Sequence, residues 1–143
     1  MSAATLDLVR SINEAHERGD FSSADWADPE IEYVVADGPQ PGRWKGSTEM
    51  AEGFRDNLVG WKDLRIEVDE YRELDEERVL VLTRSTAFGE AAGMRVGRMR
   101  TKGAVLYYVR HGKVVKVVYY WDRDHALDDA ARAPGNRGPA AAA

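Results

Sequence analysis

A chain of 143 residues, 43% of them hydrophobic, can bury one core of its own without covalent staples. It contains no cysteine, which excludes disulfides and thiolate metal sites. Its 20 basic and 25 acidic residues leave a net charge of −5 with no concentrated basic stretch, which argues against nucleic acid as a partner.

Taken in order, residues 5–18 carry Leu8, Val9, Ile12, Ala15 and His16 at helical spacing, and Gly19-Asp20 ends that helix. The start, Met1 to Asp7, lacks a charged segment followed by an apolar one, and no stretch is long enough to span a membrane, so a soluble cytoplasmic protein is expected. Residues 22–28 predict a short second helix opened by Ser22 or Ser23, with Trp26 inward and Pro29 as its stop. Ile31 to Val35 reads as a strand. Asp37 to Gly46, with two prolines and three glycines, reads as a loop in which Trp44 is placed to close over something apolar. Ser47 caps the next helix, Glu49 complements its dipole, and Met50, Phe54 and Leu58 mark one face before Gly60-Trp61.

From residue 63 the period changes to two. Leu64, Ile66 and Val68 alternate with charges, Asp75 to Glu77 turns the chain, and Val79 to Phe88 forms a second long strand. Residues 89–97 bridge to a strand that begins near Arg98 and runs into a hairpin, Gly103 to Asp122, turned at His111-Gly112. A terminal helix follows at 124–132. The Ala-, Pro- and Gly-rich tail, 133–143, is expected to be disordered, leaving 1–132 as a single domain.

Both faces of the hairpin are apolar, so both need cover. With Arg110 paired to Lys113 and no interruption, Val118 lies opposite Val105, Tyr120 opposite Gly103 and Asp122 opposite Thr101. Val118, Tyr120 and Asp122 are then expected to face a cavity, and Val117, Tyr119 and Trp121 a second subunit. The order of elements predicts an α+β domain. Its curved, mixed, mainly antiparallel sheet wraps around the N-terminal helices, which cover one face only, to form a cone with an apolar pocket.

Six motifs carry a resemblance that spans residues 5–130: Glu14 to Asp20, Ala27 to Glu32, Trp44-Lys-Gly46, Trp61 to Leu64, Val109 to Val114 and Tyr120 to Leu127. In this order they resemble the SnoaL-like branch of the nuclear transport factor 2-like superfamily, which has a ketosteroid isomerase-like, cystatin-like cone. The resemblance implies a deep pocket for a small molecule and a homodimer through the outer sheet face, with Val117, Tyr119 and Trp121 at the interface. It does not imply one reaction, because the superfamily holds cyclases, isomerases, epoxide hydrolases, dehydratases and non-catalytic binders.

Asp122 matches a last-strand carboxylate that serves several of these enzymes as acid or base, and burial would raise its pKa toward a useful range. The blander role for Asp122 is to pair with an arginine or cap the terminal helix. Arg84, a cation amid apolar neighbours, needs a partner or solvent, and Asp122 is the candidate partner. Arg98 and Arg100 fall on the opposite face. The candidate ligand contacts are Tyr33, Trp44, Phe54, Met99, Tyr107, Tyr120 and His16, with Trp44 and Tyr33 foremost. His16, His111 and His125 have no metal-ligand spacing, so neither metal nor cofactor is expected.

Departures from the family narrow the chemistry. Tyr33 stands where the general base of ketosteroid isomerase would be, unless Asp37 reaches in from its loop. Between Val79 and Tyr108 the carboxylate is Glu90, in a connection, so the second acid of limonene-type epoxide hydrolases is missing. Both reactions are disfavoured. A polyketide cyclase-like closure or an isomerisation of an apolar, oxygenated substrate asks only for Asp122 and a shaped cavity. The alternative is a non-catalytic dimeric binding or interaction scaffold of the same fold.

Overall fold

A computed structural model of the chain describes residues 3–20, 25–38, 41–58, 61–91 and 94–132. The elements run α1 (Ala3–Glu17), β1 (Ala27–Val35), β2 (Gly42–Lys45), α2 (Ser47–Leu58), β3 (Trp61–Glu73), β4 (Arg78–Ala91), β5 (Met94–Arg110), β6 (Lys113–Tyr120) and α3 (Arg123–Arg132). They form one six-stranded sheet in the order β2-β1-β6-β5-β4-β3, antiparallel except where β1 runs parallel to β6. Among the described residues no helix is long and apolar enough to cross a membrane.

The expected second helix is not formed in its described part. Asp25 and Trp26 make a turn and β1 begins at Ala27. The apolar, β-branched positions downstream draw the chain into the sheet, and the Val114 N–H donates to the Trp26 carbonyl at 2.9 Å. Pro29, with no N–H to give, sits in the register shift between Ala27 and Glu32, where the ladder is interrupted anyway. Part of the expected loop is also a strand, since β2 pairs with β1 through Tyr33 opposite Trp44. The tail lies outside the described residues.

One irregularity decides which face each hairpin residue occupies. Val109 pairs with Val114, but Tyr108 pairs with Lys116, so Val115 is an extra residue bulged out of the ladder. Beyond it Tyr107 faces Val117, Leu106 faces Val118, Val105 faces Tyr119 and Ala104 faces Tyr120. The side-chain period along a strand is two, so this single insertion exchanges the two faces of β6. Val117 and Tyr119 therefore pack in the inner core with Tyr33, Val105 and Tyr107. Val118 and Tyr120 join Leu80, Leu82, Ala104 and Leu106 on the outer face.

Helices cover both faces of the sheet, not one. α1 and α2 close the inner side through Val9, Ile12 and Met50. α3 lies on the outer side, where Ala126 and Ala130 are buried against Leu106 and Val118. The expected interface residues Val117, Tyr119 and Trp121 point inward, and Val117 is fully buried in the single chain.

Candidate functional site

The inner face encloses a cavity of about 120 Å³. Asn13 and His16 from α1 line it with Tyr33 and Val35 from β1, Phe54 from α2, and Trp61, Leu64 and Ile66 from β3. Thr83 and Ser85 of β4, Met99, Thr101, Val105 and Tyr107 of β5, and Tyr119 and Trp121 at the end of β6 complete the wall. Half-exposed Trp61, Leu64, Met99 and Trp121 mark its open end, whereas Val105 and Tyr107 form its buried floor. Among the described residues that line it, none is Asp, Glu, Lys or Arg.

The polar groups of the cavity are neutral ones, and they are organised. Asn13, buried, donates through Nδ2 to the Val9 carbonyl at 2.8 Å and to the Tyr107 hydroxyl at 3.3 Å. The Tyr107 hydroxyl is in turn bonded to that of Tyr119. A phenol that accepts from an amide N–H has its own proton to give, so Tyr107 donates to Tyr119. Tyr119 then keeps its O–H proton for whatever occupies the cavity, and donors in series polarise one another. Burial pushes the Tyr33, Tyr107 and Tyr119 phenols up, so all three are protonated at neutral pH. His16 sits at the edge of this group with its ring 6.1 Å from Phe54. Burial pushes its imidazole down to about 4, against the opposing pull of Asp20, and it is neutral at pH 7.

An aromatic lattice shapes the rest. The Tyr33 ring lies 5.2 Å from Trp44, 5.4 Å from Tyr119 and 6.1 Å from Phe54, and Trp61 stands 6.2 Å from Trp121.

Of the residues singled out from the sequence, His16, Tyr33, Phe54, Met99 and Tyr107 come together in the cavity wall. Trp44 does not line it. Its indole packs behind Tyr33 and against Gly53, supporting the wall from outside. Tyr120 borders the cavity, but its hydroxyl lies on the outer side and donates to Asp129 of α3 at 3.0 Å.

Asp122 is exposed and away from the cavity. Its Oδ1 accepts the Asp124 N–H at 3.0 Å and its carbonyl accepts the Ala126 N–H at 3.2 Å, which makes it the N-cap of α3. Replacing Asp122 with Ala is expected to lower stability by ~1 kcal/mol in urea unfolding, as loss of a cap does, while ligand affinity stays unchanged. A tenfold loss of binding in that variant would return Asp122 to the pocket.

Arg84 also points outward, because Thr83 and Ser85 on either side of it face in. It bonds Asp69 at 2.7 Å and Glu67 at 3.3 Å, not Asp122. Arg65, Arg98, Arg100 and Lys102 share that outer surface. Asp37, the other acid considered, turns from the cavity to accept the Trp121 N–H at 2.5 Å.

Sequence reasoning missed Asn13, Trp61, Thr83, Ser85 and Thr101, and it placed Tyr119 and Trp121 on the wrong side. Asn13 was findable: it lies one turn before His16, beside Val9 and Ile12 on the same stripe. Thr83 and Ser85 follow once Arg84 is assigned to solvent. Nothing local announces the bulge at Val115.

No protein-family model and no curated sequence matches the chain. Its structure is similar to that of a candidate SnoaL-like polyketide cyclase from Jannaschia sp. CCS1, at 17% identity and TM-score 0.67 over 93% of this chain and 94% of that one. An NTF2-like protein of unknown function from Burkholderia pseudomallei K96243 superposes at 19% identity and TM-score 0.70, over 88% and 96% of the two chains. TerC, co-crystallised with polyporic acid, superposes at 15% identity and TM-score 0.69, over 90% and 98%. The chain therefore has the SnoaL-like, NTF2-like cone.

Proposed function

We propose that this protein binds a small, flat, uncharged molecule that carries a carbonyl or similar acceptor oxygen. The observation that supports this most directly is the wall itself: aromatic and aliphatic on most sides, without a charged residue among its described members, and with the Asn13–Tyr107–Tyr119 series aimed into it. An apolar body would lie against Phe54, Trp61 and Trp121, and its oxygen would accept the Tyr119 proton. The enclosed volume of about 120 Å³ is on the scale of an engineered cavity of roughly 150 Å³ that takes up benzene. One-ring molecules are thus suitable first probes.

The test compares acetophenone, ethylbenzene and benzoate by calorimetry. Acetophenone is expected to bind ~5- to 10-fold tighter than ethylbenzene, the value of one added hydrogen bond. Benzoate should bind weakest, since a carboxylate entering this wall meets no cation. Tyr119→Phe is expected to erase the advantage of acetophenone over ethylbenzene. Benzoate binding best, or no binding of any of the three, removes the proposal.

The structural neighbours named as cyclases support a catalytic version, in which the bound molecule is cyclised or isomerised. The exposed, capping position of Asp122 moves the proton-handling role to His16, whose imidazole lines the cavity. Loss of turnover in His16→Gln, with probe binding kept, would support it. A homodimer remains part of the proposal, now through the outer sheet surface beside α3. Sedimentation showing a monomer at tens of micromolar would remove that part.

A further inference from the structure

The open end of the cavity is tied to a titratable cluster on the other side of the sheet. Trp121, half-exposed and facing Trp61 across that end, gives its backbone N–H to Asp37 Oδ1 at 2.5 Å. Gly38, next in the chain and at φ +91°, lies so close to the Trp121 indole that an added Cβ would overlap it. The other oxygen of Asp37, Oδ2, meets His125 Nδ1 of α3 at 2.7 Å. One carboxylate thus joins the backbone of a cavity-wall residue to the outer helix. On its other edge His125 Nε2 stands 3.4 Å from Asp129 Oδ2.

We propose that His125 and Asp37 form a pH-sensitive latch that holds Trp121 across the mouth of the cavity, a regulation that rests on the binding role proposed above. Every charged or titratable group around the imidazole bears on its sign. Asp37 faces it from the segment after β1, Asp129 from α3, and Asp122 adds negative charge from the turn before α3. The Tyr120 ring of β6 stands edge-on at 5.1 Å and shares Asp129 through its hydroxyl. Arg132 approaches Asp129 at 3.7 Å, and Arg43 of β2, Lys116 of β6 and Tyr108 of β5 border the same groove. Three near carboxylates against the more distant cations Arg132, Arg43 and Lys116 favour the imidazolium. The bond to Asp37 raises the His125 pKa most, followed by the charges of Asp129, Asp37 and Asp122, against desolvation.

A raised folded-state pKa fixes the direction. The latch is fully engaged below the ordinary histidine range and loosens as pH rises through the His125 value. Above it, neutral His125 keeps its hydrogen bond to Asp37 but loses the ion pairs, and Nε2 presents a lone pair to Asp129.

The experiment follows the Trp121 amide and the His125 imidazole by NMR from pH 5 to 9 in wild type, His125→Gln and Asp37→Asn. Asp37→Asn keeps an acceptor, Oδ1, for the Trp121 N–H but puts the Nδ2 donor where Oδ2 met His125, so it removes both the charge and the bond to His125. The expected result is that the Trp121 amide titrates with the His125 midpoint in wild type and is flat in both variants. In parallel the dissociation rate of acetophenone should rise by roughly 3-fold across that midpoint, the scale of a partly exposed charge pair, and be pH-independent in His125→Gln. A Trp121 amide that ignores the His125 titration overturns the latch. A coupled amide with an unchanged acetophenone rate overturns its control of the pocket. Failure of acetophenone to bind at any pH overturns the binding role instead, while the amide titration still decides the latch.

Discussion

Folding stability falls as pH drops from about 6.5 toward about 4, and His16→Gln removes a defined part of that fall. His16 of α1 is 8% exposed, its ring stands 6.1 Å from that of Phe54, and burial holds its pKa at about 4. The unfolded chain presents an ordinary histidine of pKa about 6.5. Between these values the unfolded state takes up a proton that the native state refuses, so acid favours unfolding. The contribution is complete above the unfolded value and is lost as pH falls through the folded one. At ~1.4 kcal/mol per unit it reaches ~2 kcal/mol by pH 5 and ~3 kcal/mol near pH 4. Carboxylates also add acid sensitivity, since Arg123 and Arg84 hold Asp69 low, and Arg78 holds Asp75 low against the opposing effect of its burial. The comparison is therefore made between the two proteins, by urea unfolding at pH 7, 6, 5.5 and 5. Equal losses in both would show that another group carries the acid sensitivity.

Gly103→Ala is expected to destabilise the protein by ~3 kcal/mol, the upper end of ordinary overpacking, and so to lower the melting temperature by roughly 10 °C. Gly103 is buried on β5, opposite Thr83 on β4. A Cβ there would overlap the Tyr120 carbonyl oxygen and come within 3.6 Å of the Trp121 Cα, both backbone atoms that cannot rotate aside. Relief would have to move the end of β6, which carries Tyr119 and Trp121 into the cavity wall. The variant is thus expected to weaken acetophenone binding as well as folding. Gly97→Ala on the same strand is the control: nothing lies within 4 Å of its added Cβ, and an exposed change of this kind stays within ~0.5 kcal/mol. If the two variants melt together, the close approach at Gly103 is not a constraint on the fold.

These two residues show unequal legibility in the sequence. His16 stood out because it occupies the apolar stripe of a helix whose period can be read directly. Gly103 reads only as the start of a hairpin, opposite Tyr120, and its lack of room shows once the end of β6 is seen passing over it. The same contrast separates Arg84 from Asp122. Arg84 faces out by simple alternation with Thr83 and Ser85, whereas the side taken by Asp122 depends on the ladder behind it.

Amino-acid order by itself determined the number and kind of most elements, the meander of long strands, the hairpin turn at His111-Gly112, and the apolar cavity that a curved sheet and amphipathic helices enclose. Those features follow from local periodicity and from turn residues, which act over a few positions. Only the tertiary structure decided that Ala27 enters a strand, that α3 covers the outer face, and that Val115 bulges. A bulge is set by how two strands and the layers on either side settle against each other, and no local preference marks it. Because strand side chains alternate with a period of two, that one extra residue sent Tyr119 and Trp121 into the cavity and left Asp122 to cap a helix outside it.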